Sequence, residues 1–228
     1  MQLGEGVEVI TISDAGLWAL NKPAGTLSHP NKPGEESYSL INAPYDMKEE
    51  AYMTDEGPYF LLHRLDGPTS GVILVTPYER VASQVKEMLK TRKVKKIYNA
   101  IVAGVPSPEK ALWRDKLTKR RHNEGGVRGV VGGGAPAESQ MYVLKKFEKP
   151  LPSALLELQP LTGRTHQLRI QCAQRRTPII GDATYGDFAL NRELKAKHLM
   201  LHARAVMIEE FGFYAEAELP KHFLKWGK

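Results

Sequence analysis

Cysteine is almost absent from this chain: of 228 residues only Cys172 carries a thiol. That excludes an intrachain disulfide and any metal site built from several cysteines. No apolar run approaches the roughly 20 residues that a membrane-spanning helix needs. The opening stretch, MQLGEGVEVITISD, lacks the basic and apolar regions of a secretory signal. A soluble protein of the reducing cytoplasm is the expectation. Several site patterns are also missing. The glycine cluster has no Lys-Ser/Thr ending of a phosphate-binding loop, and there is no G-x-S-x-G elbow. His198 and His202 stand four apart in HLMLH, but no glutamate follows the first, and no third ligand is evident. A lone G-V-R-G at 126–129 is too short to define an RNA clamp.

What is present is ordinary in bulk and uneven in detail. At 42% hydrophobic and 25% charged, the chain has the composition of a folded globular protein. At this length folding would bury about 70% of the surface that the unfolded chain exposes. The net charge of +6 hides an asymmetry, because residues 35–58 hold seven acids against one base, Lys48. The rest of the chain is therefore strongly basic. Lys86 to Lys96 carries six bases and one acid, Lys110 to Arg128 seven bases and two acids, and 158–181 four arginines and no acid. A polyanionic partner is one reading; a set of solvated faces is the other.

Along the chain, 7–14 and 16–22 read as strands around Asp14-Ala15-Gly16, and 22–34 as a Pro/Gly-rich loop. Residues 39–50 are expected to begin a short helix, although Pro44 argues against it. Strands are expected at 59–65, 71–76, 96–102, 140–148, 154–159, 199–208 and 213–219. Val81, Val85, Met88 and Leu89 recur at helical spacing over 78–91. A second helix is expected at 165–175, with Leu168, Cys172 and Ile170 facing inward. Six glycines and a basic cluster in 118–137 suggest a loop that is mobile or ordered by RNA. Strands with few helices predict an α+β fold, a single domain over 1–228 with a mixed, largely antiparallel sheet and flanking helices.

One stretch differs in kind. HRLDGPTSGVILVT, beginning at His63, places Arg64 and Asp66 at a tight turn that leads into an apolar strand. A turn at a strand end is where a rigid sheet can present a carboxylate to a ligand. By itself, Asp66 fits a turn-capping role as well as a catalytic one.

The chain resembles the RluA family of pseudouridine synthases through five motifs in order. ALNKPAGTLSHP (19–30) is similar to the family's first motif, and LLHRLDGPTSGVILVT (61–76) to the motif with its catalytic aspartate. KKIYNAIVAG (95–104) is similar to the strand that carries the active-site tyrosine. LTGRTHQLRI (161–170) and PIIGDATYG (178–186) follow, with HARAV (202–206) and AELP (217–220) like the closing segment.

The resemblance implies a cofactor-free, metal-free isomerisation of uridine to pseudouridine. The N1–C1′ bond breaks, uracil turns over, and C5 joins C1′. Asp66 would trap or electrostatically stabilise the positive charge that develops at C1′. Arg169 would keep Asp66 ionised. Tyr98 would stack on the target base and help remove the C5 proton. Arg64 would fill the space left by the flipped nucleotide or bind its phosphate. Leu168 and Ile170 would form an apolar wall of the base pocket. Arg164, His63, Thr69 and Lys96 are further RNA-binding candidates, joined by Lys119, Arg120 and Arg121 from the basic run. His63 and His166 fit structural hydrogen bonding at least as well, and Arg164 fits a role holding carbonyls of its own loop. Cys172 is expected to be a small buried hydrophobe.

There are departures. Gln171 and Gln174 stand where many relatives have histidines, and Arg176-Thr177 where they have Gly-His. The separate N-terminal S4 domain of some relatives is not expected, which would leave recognition to this domain. The expected partner is a structured rRNA or tRNA stem-loop, without a membrane, and the expected state is a monomer. The rival reading is a non-catalytic RNA-binding protein on the same scaffold.

Overall fold

The computed structural model describes residues 1–121 and 127–228, with the backbone alone over 119–121 and 127–131. In chain order the strands are β1 Glu8–Ile12, β2 Trp18–Lys22, β3 Tyr45–Asp46, β4 Ala51–Thr54, β5 Gly57–Leu61 and β6 Ser70–Thr76. Helix α1, Glu79–Lys90, leads to β7 Val94–Ala103, β8 Lys110–Arg121, β9 Val127–Val131, β10 Ala135–Phe147 and β11 Ser153–Pro160. The chain ends with α2 Gln167–Gln174, α3 Phe188–Glu193, β12 Leu201–Ile208, β13 Phe213–Glu216 and α4 Lys221–Leu224. The described strand ladders are antiparallel, and one isolated parallel bridge joins Leu27 to Ser39. This is the α+β architecture expected from the sequence. Among the described residues no helix is long and apolar enough to cross a membrane.

The chain forms two compact units, Met1–Lys96 with Ala203–Glu218, and Ile97–His202 with Leu219–Lys228. The boundaries fall inside β7 and inside β12. In the first unit, β6 has all seven residues buried and pairs with β2 and β5, with β4 and β3 beyond β5. Val72, Leu74, Val81, Val85, Val206 and Phe213 build its core. Gly71 explains the glycine of the TSG sequence. Its φ is +111°, and a Cβ there would lie 2.2 Å from the Ala203 carbonyl oxygen, so only glycine lets β6 and β12 lie together. Helix α1 buries Val81, Ala82 and Val85 on one face, with Glu79 in its first turn and Lys90 in its last, matching the macrodipole.

In the second unit, β7 pairs with β11, β11 with β10, β10 with β8 and β8 with β9. Ile101, Trp113, Met141, Leu156, Leu158 and Cys172 lie in the core there, so Cys172 is the buried hydrophobe that the sequence leads one to expect. Gln171 is fully buried and fully engaged. It accepts from Ser139 Oγ (2.7 Å) and donates to Asp115 Oδ2 (2.8 Å) and the Ala137 carbonyl (3.2 Å), docking α2 onto β8 and β10. An amide is both donor and acceptor, so it suits this site.

Two expectations are corrected. Residues 39–50 form no α-helix. A short 3-10 turn at Glu36–Tyr38 precedes β3, and Pro44 sits directly before that strand, where a missing N–H is tolerated. The described residues of the glycine-rich 118–137 segment are mostly strand, in β8, β9 and β10. Its glycines permit close approach: a Cβ on Gly134 would lie 1.9 Å from the Leu117 carbonyl oxygen. Residues 122–126 and the G-V-R-G stretch's first glycine lie outside the described residues.

Candidate active site

Asp66 ends the extended stretch that leaves β5 and is half-buried. The chain turns at Gly67-Pro68, and the Thr69 N–H donates to the Asp66 carbonyl at 2.9 Å before β6 begins. The turn is pinned from below by Lys22, the last residue of β2, which faces Gly71 in the ladder and is fully buried. Its ammonium donates to the carbonyls of Pro23 (3.0 Å), Thr26 (2.7 Å) and Gly67 (3.0 Å). Burial pulls the Lys22 pKa down to about 7, against the opposing pull of the Asp66 charge. The Ser28 hydroxyl donates to the Leu65 carbonyl at 2.7 Å and accepts from the Leu65 N–H at 2.9 Å. Strand β2 and the loop after it therefore fix the backbone on both sides of Asp66. Sequence reasoning does not single out Lys22. The available signal is a lysine closing a largely apolar strand just before a Pro-Gly loop.

The other candidates of the first unit differ in what they can offer. Arg64 is exposed, and its Nη1 lies 3.1 Å from His29 Nε2. His63 Nε2 accepts from the Leu74 N–H at 3.2 Å, and burial, aided by the Lys96 charge, pulls its pKa down to about 3. The ring is a neutral structural acceptor, the plainer of its two readings. Thr69 is 2% exposed and its hydroxyl is buried without a hydrogen-bond partner. Lys96, half-buried on β7, is held below the ordinary lysine range by burial.

In the second unit, Tyr98 lies on β7 opposite Leu158 and packs partly buried against the core. Arg169, on α2, is buried and bidentate to Asp182, with Nε to Oδ2 and Nη2 to Oδ1 both at 2.8 Å. Burial pushes the Asp182 carboxyl up. The Arg169 hydrogen bonds and charge, with the Tyr185 and Thr184 amides, outweigh burial and hold it below the usual carboxylate range. The guanidinium lies 5.3 Å from the Tyr185 ring centroid, and His166 Nδ1 is 2.9 Å from the Tyr185 hydroxyl. Asp182 belongs to the PIIGDATYG stretch, and no role for it can be read from the residues alone; two acceptors for a guanidinium are its evident work. Leu168 is buried in the main core and Ile170 packs on Leu117, Ala137 and Tyr185, which leaves little of either to face a ligand. Arg164 Nε donates to the Pro136 carbonyl at 3.1 Å, a backbone carbonyl of β10 and not of its own loop. Lys119, Arg120 and Arg121 lie on β8, with their side chains outside the described residues.

Part of the basic charge is spent within the fold. Lys86 pairs with Glu50 at 2.7 Å and Lys93 with Glu210 at 2.6 Å. The acidic 35–58 segment also does not stand apart from the site residues. Tyr52 donates from its hydroxyl to the Ser28 carbonyl at 2.6 Å, and Tyr45 stacks on His29. Among the described residues no group of three or more His, Cys, Asp or Glu is placed to hold a metal. The first unit offers a rigidly held carboxylate, and the second a buried, oriented guanidinium. The first can stabilise or trap a developing cation.

Residues 16–174 match the sequence pattern described as RNA pseudouridylate synthase. A tRNA pseudouridine synthase C of Vibrio cholerae is 33% identical over 216 residues, covering 85% of this chain and 82% of its own length. A ribosomal large subunit pseudouridine synthase C of Buchnera aphidicola is 32% identical over 208 residues, covering 87% of this chain and 61% of its own. The chain spans less than two thirds of the length of several curated relatives that it matches. The solved structure of human RNA pseudouridylate synthase domain containing 4 is similar with a TM-score of 0.71 at 27% identity, covering 95% of this chain and 90% of that one.

Proposed function

The chain belongs to the RNA pseudouridylate synthase family, and on that premise we propose that it isomerises a uridine in structured RNA to pseudouridine, with Asp66 as the reacting carboxylate. The observation that carries this reading is the HRLD turn. Its backbone is fixed by Lys22 and Ser28, so a half-exposed carboxylate is held ready without needing to reorganise. As the N1–C1′ bond breaks, positive charge develops at C1′, and the Asp66 carboxylate stabilises or traps it. Tyr98 stacks on the released uracil and assists proton loss from C5 once C5 has joined C1′. Arg169, held bidentate by Asp182, is the buried cation that we assign to the same reaction. Arg64 contacts the nucleotide that has left the stack, or the phosphate beside it.

The substrate is a stem-loop of rRNA or tRNA, since one similar protein is named for tRNA and another for the large ribosomal subunit. The protein works as a cytoplasmic monomer with no cofactor, and Lys119, Arg120 and Arg121 contribute phosphate contacts. RNA carrying 5-tritiated uridine tests the reaction. Tritium release without free uracil is expected. Free uracil would mean a hydrolase, and binding without tritium release would mean an RNA-binding protein.

A further inference from the structure

Arg64 stands two residues before Asp66, with its side chain exposed but guided. Its Nη1 lies 3.1 Å from His29 Nε2. A guanidinium can only donate, so Nε2 is the acceptor and carries no proton. The one ring hydrogen is then on Nδ1, which lies 2.9 Å from the Pro30 carbonyl, a group that can only accept. Both partners select the same neutral tautomer. The ring is 7% exposed and stacks on Tyr45, with centroids 4.8 Å apart and planes 14° apart. Tyr45 meets Tyr52 edge-on at 5.0 Å, and Tyr52 is tied to the Ser28 carbonyl. Burial and the Glu50 charge push the Tyr45 hydroxyl up to about 12, so it stays a neutral phenol beside Arg64.

We propose that His29, clamped by Tyr45 of the acidic 35–58 segment, is the positioning residue for Arg64: it aims the guanidinium at the target nucleotide before RNA arrives. This rests on the reading of Arg64 as a nucleotide contact. A neutral imidazole suits the task better than a carboxylate. A carboxylate would hold the arginine as tightly but cancel the charge that attracts a phosphate. The imidazole orients the fork and leaves its full positive charge for the RNA. Ordering a long side chain in advance is worth up to about tenfold in binding. The same geometry gives the 35–58 segment a purpose: its β3–β4 hairpin supplies the clamp.

The test is kcat/KM by tritium release for His29→Asn, His29→Gln, Arg64→Met and the His29→Asn/Arg64→Met double variant, with thermal melting of each. Glutamine can place an acceptor oxygen near the position of Nε2, whereas asparagine reaches only the Nδ1 side. Arg64→Met and His29→Asn should each reduce kcat/KM by about tenfold, the size of one hydrogen bond to a charged group. His29→Gln should stay within about threefold of wild type, and the double variant should match Arg64→Met alone. Tyr45→Leu gives a second route and should likewise be silent in the Arg64→Met background. Additive losses in the double variant, or an unaffected His29→Asn beside an impaired Arg64→Met, would overturn the positioning role alone. An unaffected Arg64→Met would overturn the nucleotide reading of Arg64, and the proposal with it.

Discussion

Replacing Asp182 with asparagine should damage the protein more than any change at Asp66, although Asp66 is the reacting group. In the native protein the Arg169 side chain is 5% exposed and that of Asp182 1%. The carboxylate accepts two guanidinium bonds of 2.8 Å and the amides of Thr184 and Tyr185 at 2.8 and 3.0 Å. Asparagine offers one oxygen for these four donors and turns an NH2 group toward the rest. The arginine is left buried with its charge uncompensated, which costs about 3–5 kcal/mol. For a chain of this length that is a fall in Tm of about 6–20 °C. Asp182 is held below the ordinary carboxylate range, so its contribution is present at neutral pH and is lost as pH falls through its depressed pKa. Activity should fall with stability, because Arg169 loses its aim. The Arg169→Met/Asp182→Leu pair removes both charges and should recover most of the Tm while activity stays absent. Scanning calorimetry and tritium release measure the two effects. A single variant melting within about 2 °C of wild type, or an active double variant, would refute the reasoning.

Alanine at Lys119, Arg120 and Arg121 together should lower the log–log salt slope of RNA binding by about 0.7 to 0.9 for each phosphate no longer neutralised, raising KM and sparing single-turnover chemistry; an unchanged slope would place the RNA elsewhere. Lys22 is pulled from 10.5 to about 7 on folding, so the unfolded chain binds the extra proton between these values and stability should rise with pH across that window. Urea unfolding at several pH values should show the rise, and Lys22→Met should flatten it; an equal rise in the variant would put its source elsewhere. Cys172 is buried and its thiol pushed up by burial, so a thiol reagent should label it only as the protein unfolds. Labelling of the native protein at the rate of a free thiol would contradict its place in the core.

Legibility in the sequence followed the range of the forces involved. The apolar run of β6 and the 3.6-residue spacing of α1 are local patterns, and both elements lie within a few residues of their expected positions. The 118–137 segment reads as a loop, but its described residues fold mostly as strand, because glycine marks close backbone approach as well as looseness, and only the partner strand shows which applies. Asp66, Arg64 and Arg169 can be named from motifs. Their supports cannot, since Lys22 reaches Gly67 across 45 residues and Tyr45 reaches His29 from a segment that the sequence marks only by its excess of acids. A hydrogen-bond acceptor has no signature in sequence when it is a backbone carbonyl. Asp182 stands in plain view inside PIIGDATYG, but its guanidinium partner is fixed only by the fold.

The reacting carboxylate is the claim on which the rest depends, and Asp66→Asn tests it most directly. The substitution keeps the size of the side chain and leaves the Lys22 and Ser28 hydrogen bonds to the turn in place. Tritium release from 5-tritiated uridine RNA should fall to background, because an amide neither traps nor stabilises the developing cation. RNA affinity and Tm should remain close to wild type. Tritium release at near wild-type rate by the folded variant would contradict the account.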